Sequence, residues 1–589
     1  MYRRASAATR GLLGAAGAHA IGLRRLLLLA FPLGCALAAL AIGQDANYDL
    51  LNYHYYIAYA FLHDRLGVDV FAAQLQSLIN PLLDVPIYLL INHSPPRFEA
   101  AAIGALQGIG PLLVVLVAHR LARSWVLAFA AGVAAAVAGG FAAQLGNSMG
   151  DTIVAVPLLA AVLLALQAID RRGCGGELWR WAAVGAVAGA GAGLKLSELP
   201  IAVGIVAGAL AVGGGVSQRV RRLGSGALGG VAGVLATSGY WSWYLWVHYK
   251  DPIAFTQASF GIFHSPNVPK PRLAGGGYGP KSVLQGLDFP LRWVVHPLAV
   301  GEIPFRELSL PLAYVLAAVL VLAVAARALL RTVARHRAGR RALVAGGPAG
   351  DGTPSARGET SLRASGARDA DADRFLVATF GVSLALWMRV FSIYRYLLPL
   401  EMLSPVVILA VVRRLIALVP ADSRWASRAA RSLVPAVLIA CALCVATESP
   451  GNYWLRVPFG STYFSLRTPP LLDNAKVDAL VEVGGQPMGF LFPQLPSRVV
   501  AIGGIGNLLT PANRVLVHRA LARVRRDGGS VDVVFVDVPA RHGLATPKGT
   551  SRYLARLGAP GLVARACEVE AAHIGAGFEP VTFCRFAPR

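Results

Sequence analysis

A chain of 589 residues that is 55% hydrophobic, only 15% charged and has a mean hydropathy of +0.55 carries more apolar surface than a soluble core can bury. This composition excludes an ordinary soluble enzyme and predicts an α-helical polytopic membrane protein. The formal charge of +24, from 55 Lys and Arg against 31 Asp and Glu, would also suit a nucleic-acid binder. The basic residues gather in alternate loops, however, as the positive-inside rule demands, so no nucleic-acid partner is expected.

The amino terminus, MYRRASAATRGLLGAAGAHAIGLRR, is basic and leads into a first apolar span near residues 24–42, with no small-residue cleavage site after it. That span is expected to remain uncleaved. A long polar loop, 43–99, follows. Within it "NYDLLNYHYYIAYAFLHDRLG" and "SLINPLLDVPIYLLI" have helical spacing without the length of a span, and are predicted to lie as helices in the membrane interface, where Tyr and Trp are favoured. Further spans are predicted near 100–118, 126–143, 152–168, 181–196, 199–215, 224–246, 309–328, 375–391, 397–412 and 432–447, about eleven in all.

Threaded alternately, these spans place the basic amino terminus, "HRLARSW", "DRRGCGGELWRW", "SQRVRRLG", "RTVARHRAGRR" and "RRLIALVPADSRWASRAAR" on one side, taken as cytoplasmic. The other side receives "QDANYDLLNYHYY", "QLGNSMGD", "KLSELP" and the loop beginning "HYKDPIAF". A cytoplasmic loop is expected over 331–373, its 339–373 stretch rich in Gly, Ala, Ser and Pro and read as disordered. After residue 447 the pattern changes. "MGFLF", "SRVVAIGG", "VDVVFVDV" and "EPVTFCRF" read as strands and "PANRVLVHRALARVRRDG" as a helix, so 448–589 is predicted to form a small external α/β domain.

Of six cysteines, Cys35, Cys441 and Cys444 lie in apolar segments as small hydrophobes, and Cys174 stands in a basic loop. Cys567 and Cys584 can pair if the tail faces an oxidising compartment. No zinc spacing, Walker loop or dinucleotide fingerprint is present, so no cofactor is expected.

Ionisable groups beside a membrane are costly and tend to serve function. Here Asp45, Asp49, His54 and Asp84 fall in the first outer loop, Asp151 opens the fourth span, Lys195 and Glu198 follow the fifth, and Arg389 and Arg395 follow the ninth. All are predicted at one leaflet. The layout resembles the GT-C superfamily of integral-membrane glycosyltransferases, which use polyprenyl-phosphate sugars and carry an acidic motif between their first two spans. "QDANYDLLNYHYYIAYA" holds that position, and "GNSMGDTIVAVPLLAAVLLAL" resembles the family's Asp-initiated fourth span. "AVAGAGAGLKLSELP" resembles its Gly-rich segment, with Leu196 and Ser197 departing from the pattern, and "YRYLLPLEMLSPVVIL" resembles its late span.

The resemblance covers roughly residues 20–450, making 1–447 a GT-C-like catalytic domain of an uncharacterised bacterial subgroup. It implies an inverting transferase of the bacterial inner membrane, amino terminus cytoplasmic and carboxyl-terminal domain periplasmic. A sugar would pass from a polyprenyl phosphate to a glycan, lipid or protein acceptor of the cell envelope. An acceptor hydroxyl must lose a proton, and Asp45 or Asp49 suits that role, with Asp45 preferred because it comes first after the span. Asp49 serves equally well as a helix cap.

Lys195 and Arg395 are expected to meet the donor phosphate, or else to contact lipid headgroups; Arg389 ranks after them, its alternative being to mark the end of a short ninth span. His54, Tyr55, Asp84 and Asp151 are candidates for sugar or acceptor contacts. The aromatic belt is the plainer role for the tyrosine, and N-capping the plainer role for Asp151. No metal is expected, since Asp45, Asp49 and His54 lack a defined ligand spacing. Two other readings compete. An O-antigen polymerase or ligase would place its arginines in large late loops, and a transporter or flippase would place its ionisable groups at the bilayer midplane.

Overall fold

The computed structural model describes residues 28–254, 278–345, 359–418 and 454–588, with gaps at 473–477, 485–486, 504–510 and 537–546, together with the isolated positions 435 and 438. The chain is mostly helical, with a β-sheet domain at its carboxyl end.

Helix α1 (Leu28–Ile42) leads into strand β1 (Gln44–Asp45), a π-helical turn at Leu50–His54, α2 (Tyr55–Leu62) and α3 (Asp84–His93). The bundle continues through α4 (Pro96–Gln107), α5 (Ile109–Ala122), α6 (Trp125–Ala136), α7 (Gly139–Ala143), α8 (Asp151–Asp170), α9 (Glu177–Leu194), α10 (Leu199–Gly208) and α11 (Val216–Tyr249). After α12 (Val283–Val295) come α13 (Ser309–Ala345), α14 (Glu359–Val390) and α15 (Leu398–Leu418).

Helices therefore occupy ten of the eleven predicted span positions, but their dimensions correct the prediction. Among the described residues, three are long and apolar enough to cross a membrane: Pro96–Ala122, where α4 and α5 join at Gly108, then Asp151–Asp170 and Ser309–Ala334. The rest are too short, as with Leu28–Ile42, Trp125–Ala136 and Leu196–Ala211, or are diluted by Gly, Arg and Glu. Apart from two positions, the eleventh (432–447) lies outside the described residues. The expected loop at 331–373 is also corrected. Helix α13 runs on to Ala345 and α14 begins at Glu359, so of that stretch only residues 346–358 fall outside these helices, and those are not among the described residues.

Glycine sets the closest helix pairing. On α9, Gly185 and Gly189 lie one turn apart against Gly226 and Gly230 of α11, so a Cβ on either would fall onto a facing backbone carbonyl. Small residues four apart let helix backbones approach in this way. At the bundle end away from the first loop, Asp369 and Asp371 of α14 pair with Arg120 and Arg172, while Arg222 pairs with Glu177. Asp369 and Asp371 belong to the stretch that the composition had marked as disordered.

The carboxyl-terminal sheet has the order β3-β7-β8-β6-β4-β5, built from β3 (Phe464–Leu466), β4 (Ala479–Glu482), β5 (Val500–Ile502), β6 (Val531–Val536), β7 (Leu562–Ile574) and β8 (Gly577–Pro588). Strands β5, β4 and β6 are parallel, and the β7–β8 hairpin adds antiparallel to β6. Cys567 and Cys584 face each other across that hairpin and are disulfide-bonded. "MGFLF", expected as a strand, is instead a 3-10 turn at Gly489–Gln494.

Alternation along the strands sends side chains to two buried layers. Ala479, Val481, Val531 and Val533 pack under α16 (Pro511–Arg526) and α17 (Pro547–Arg556). Leu480, Val534, Val581 and Phe583 pack onto Leu50–Ala60 of the first loop. That loop is thus the third layer of the α/β unit, and residues 50–60 are buried throughout. Strand β1 pairs with β2 (Arg456–Val457), and Val70 bridges to Ile502. Residues 50–60 of the first segment expected at the interface therefore pack against the sheet domain, whereas Leu82 and Leu89 of the second segment remain exposed.

Candidate functional site

Loops from five places in the sequence meet at one end of the bundle. Asp49 precedes the π-helical turn, a distortion often associated with functional sites. Its carboxylate receives Arg395 Nη1 at 2.5 Å and the Tyr53 hydroxyl, which donates at 3.1 Å. Arg395 stands on the 3-10 turn Tyr394–Leu397 between α14 and α15, with its Nε 3.2 Å from Glu302 and its guanidinium 5.3 Å from the Tyr396 ring centre. Asp49 and Arg395 are each only 14% exposed.

Lys195, at the end of α9, pairs with the fully buried Asp151 at the start of α8, donates to the Met149 carbonyl at 2.7 Å and lies 5.7 Å from the same Tyr396 ring. Gln144 donates to the other Asp151 oxygen at 3.1 Å. Two cations and three carboxylates are therefore locked around one tyrosine. Beside them is a cavity of about 20 Å³, lined by Gln144, Glu302, Tyr394 and Arg395, room for about one water.

Burial works against the charge of Asp49, yet Arg395, with His54 and Lys195, holds its carboxyl below the usual range. Glu302 goes the other way. Burial pushes its carboxyl up and Arg395 only partly offsets this.

Asp45 behaves differently from Asp49. It is fully buried, with Oδ2 accepting from Asn47 Nδ2 at 2.7 Å and from the Ser148 amide and hydroxyl at 2.8 Å each, while Oδ1 accepts from the Asn47 amide at 3.1 Å. It fastens the first loop to the 144–149 turn. Its accepting capacity is taken up by the protein, and it is Asp49 that lines the charged cluster.

His54 Nδ1 meets Asp84 at 2.7 Å, both buried, and His54 Nε2 has no hydrogen-bond partner among the described residues. Tyr55, expected in an aromatic belt, is buried. Its hydroxyl donates to Asn92 at 2.8 Å, and its ring packs on Tyr88 and Phe464 along a cleft of about 400 Å³. Arg389 is exposed in the last turn of α14 and shares none of the cluster's contacts. Among the described residues no three His, Cys, Asp or Glu side chains gather as a metal site would need.

Tyr53, Glu302 and Tyr396 were not anticipated. The spacing of Tyr53, four residues after Asp49, was a usable signal. Glu302 stands alone in a long loop, and nothing in its neighbourhood marks it. No family model, curated protein or solved structure matches the chain.

Proposed function

We propose that the chain is an inner-membrane inverting glycosyltransferase of GT-C type, moving a sugar from a polyprenyl phosphate to an acceptor on the periplasmic side. The observation that carries this reading is the convergence of Asp49, Lys195, Asp151, Glu302 and Arg395 from separate loops on one end of an apolar bundle. The Cys567–Cys584 bond supports an oxidising compartment for the sheet domain, which packs on that same end.

The chemistry follows from charge. The donor's phosphate competes with Asp49 and Glu302 for Arg395, whose planar fork suits phosphate oxygens, while Lys195 supplies a second positive charge. Released from Arg395, the Asp49 carboxylate gains proton affinity. It then takes the proton of an acceptor hydroxyl as that oxygen bonds to the anomeric carbon. The carbon–oxygen bond to phosphate breaks with inversion, and the polyprenyl phosphate departs with the electron pair, its charge stabilised by both cations. No cofactor or metal enters this scheme.

The test is turnover by purified protein with a panel of polyprenyl-phosphate sugars. Asp49→Asn is expected to lose about a hundredfold or more. Wild-type turnover of none of the panel, or full activity in Asp49→Asn, overturns the scheme.

A further inference from the structure

A second cavity, of about 500 Å³, opens between residues 65–71 of the first loop, the end of α11 and helix α16 of the sheet domain. Its size is that of a small-molecule site. Its charged lining consists of Arg65, Arg498, Arg519 and Arg523 against Asp69 and Asp527, with His248 beside them.

Much of this charge is already committed. Arg65 pairs with Asp69 and donates to the Ser497 and Val499 carbonyls, and Asp69 also accepts from the Tyr56 hydroxyl at 2.8 Å and the Ala501 amide at 2.9 Å. Arg498 donates to the Leu472 carbonyl at 2.8 Å. The solvent-exposed Arg519 and Arg523 are left, with a single carboxylate, Asp527, one turn beyond Arg523. They stand one helical turn apart on the face of α16 that lines the cleft, and neither has an ion-pair partner among the described residues. Like charges at that spacing repel, so an anion between them relieves a cost the fold otherwise bears.

The opposite wall adds the Phe71 and Tyr249 rings, 5.9 Å apart, beside Arg65, Asp69 and His248. Below it, Tyr240, Trp243 and Trp246 of α11 are exposed, the side-chain types that settle at headgroup depth.

We propose that this cleft binds a phosphate ester through Arg519 and Arg523. Paired guanidinium forks match phosphate oxygens, and carboxylates in the lining are too few to neutralise them. The phosphate has two possible sources, a lipid headgroup or a soluble phosphorylated molecule. The proposal stands on the cleft alone and is independent of the transferase reading.

Isothermal titration of the full chain in a neutral detergent separates the sources, using inorganic pyrophosphate in one arm and a short-chain phosphatidylglycerol in the other. Binding of at least one probe is expected, weakened about tenfold or more by the double exchange Arg519→Gln with Arg523→Gln. The exchange Arg525→Gln with Arg526→Gln removes the same charge from the same helix outside the cleft lining, and should leave affinity nearly unchanged. Pyrophosphate binding assigns a soluble ligand; binding of the lipid alone assigns a headgroup. Absence of binding in both arms, or equal weakening by the two double exchanges, overturns the proposal. Should the cleft exchange disturb folding, Arg519→Gln alone is expected to weaken binding severalfold, and no change would count against it equally.

Discussion

Asp45 and Asp49 are four residues apart, and their surroundings predict opposite consequences for the same substitution. In Asp45→Asn, an amide nitrogen must take one of the two oxygen positions. If it replaces Oδ1, the Asn47 amide loses its acceptor and faces an N–H; if it replaces Oδ2, three donors do so. Hydrogen bonds to a charged acceptor are worth about 1.5–3 kcal/mol, and a stranded buried donor costs about 1–3 kcal/mol more. The better orientation therefore predicts a loss of about 2.5–6 kcal/mol, much of the stability of a typical domain. Asp49→Asn keeps an acceptor for Tyr53 and leaves Arg395 beside Glu302, so its cost should be about 1–2 kcal/mol. Denaturant unfolding of the two variants in detergent, run beside the turnover assay, makes the comparison. Asp45→Asn should be unstable, and Asp49→Asn stable but inactive. A stable, inactive Asp45→Asn beside an active Asp49→Asn would refute the assignment and return the base to Asp45.

Other predictions concern separate features. Arg395→Ala should raise KM for the donor more than for the acceptor in a two-substrate titration, as the proposed phosphate contact requires. The folded-state pKa of Asp49 is depressed, so its pairing with Arg395 stabilises the fold above the ordinary Asp value of about 3.9 and fades as pH falls through the lower folded value. A double-mutant cycle on the two residues should thus give the same coupling at pH 8 and pH 5 and a smaller one near pH 3. Gly189→Val should drive α9 and α11 apart and cost about 1–3 kcal/mol or more, read by unfolding in detergent. Replacing Cys567 and Cys584 by Ser should cost about 3 kcal/mol, as expected for a loop of this length. For topology, a maleimide that cannot cross the membrane should label Ser461→Cys in intact spheroplasts but reach the exposed Cys174 only after lysis, with Cys441 and Cys444 replaced beforehand.

Hydropathy located the helices because an apolar stretch marks itself locally, whatever surrounds it. It overcounted membrane-length spans because α6 and α10 are apolar for lack of exposure to water, which a protein neighbour provides as well as a lipid does. The tyrosines after Asp49 show the same ambiguity. Tyr53, Tyr55 and Tyr56 have the composition of an interfacial belt, and only the position of the sheet, with Phe464, Phe490 and Phe492 against them, makes them core. Lys195, Asp151, Asp49 and Arg395 were legible as a group, since charges at the ends of apolar segments stand out. What distinguishes Asp49 from Asp45 was not, because Ser148 lies about a hundred residues downstream of the carboxylate it binds. Asp369 and Asp371 were misread for a related reason: their arginine partners, Arg120 and Arg172, are roughly two hundred residues or more away.

Strand β1 borders the loop that carries Asp49, and its strand partner among the described residues is Arg456–Val457, more than four hundred residues later. A ribosome making this protein would therefore complete every described bundle helix before the loop finds its mate. Throughout that interval the tyrosine-rich segment must wait uncovered. A chain released before the sheet is synthesised would hold the described bundle helices yet lack the scaffold for the first loop, so the protein's last-made quarter governs when Asp49 is held in place.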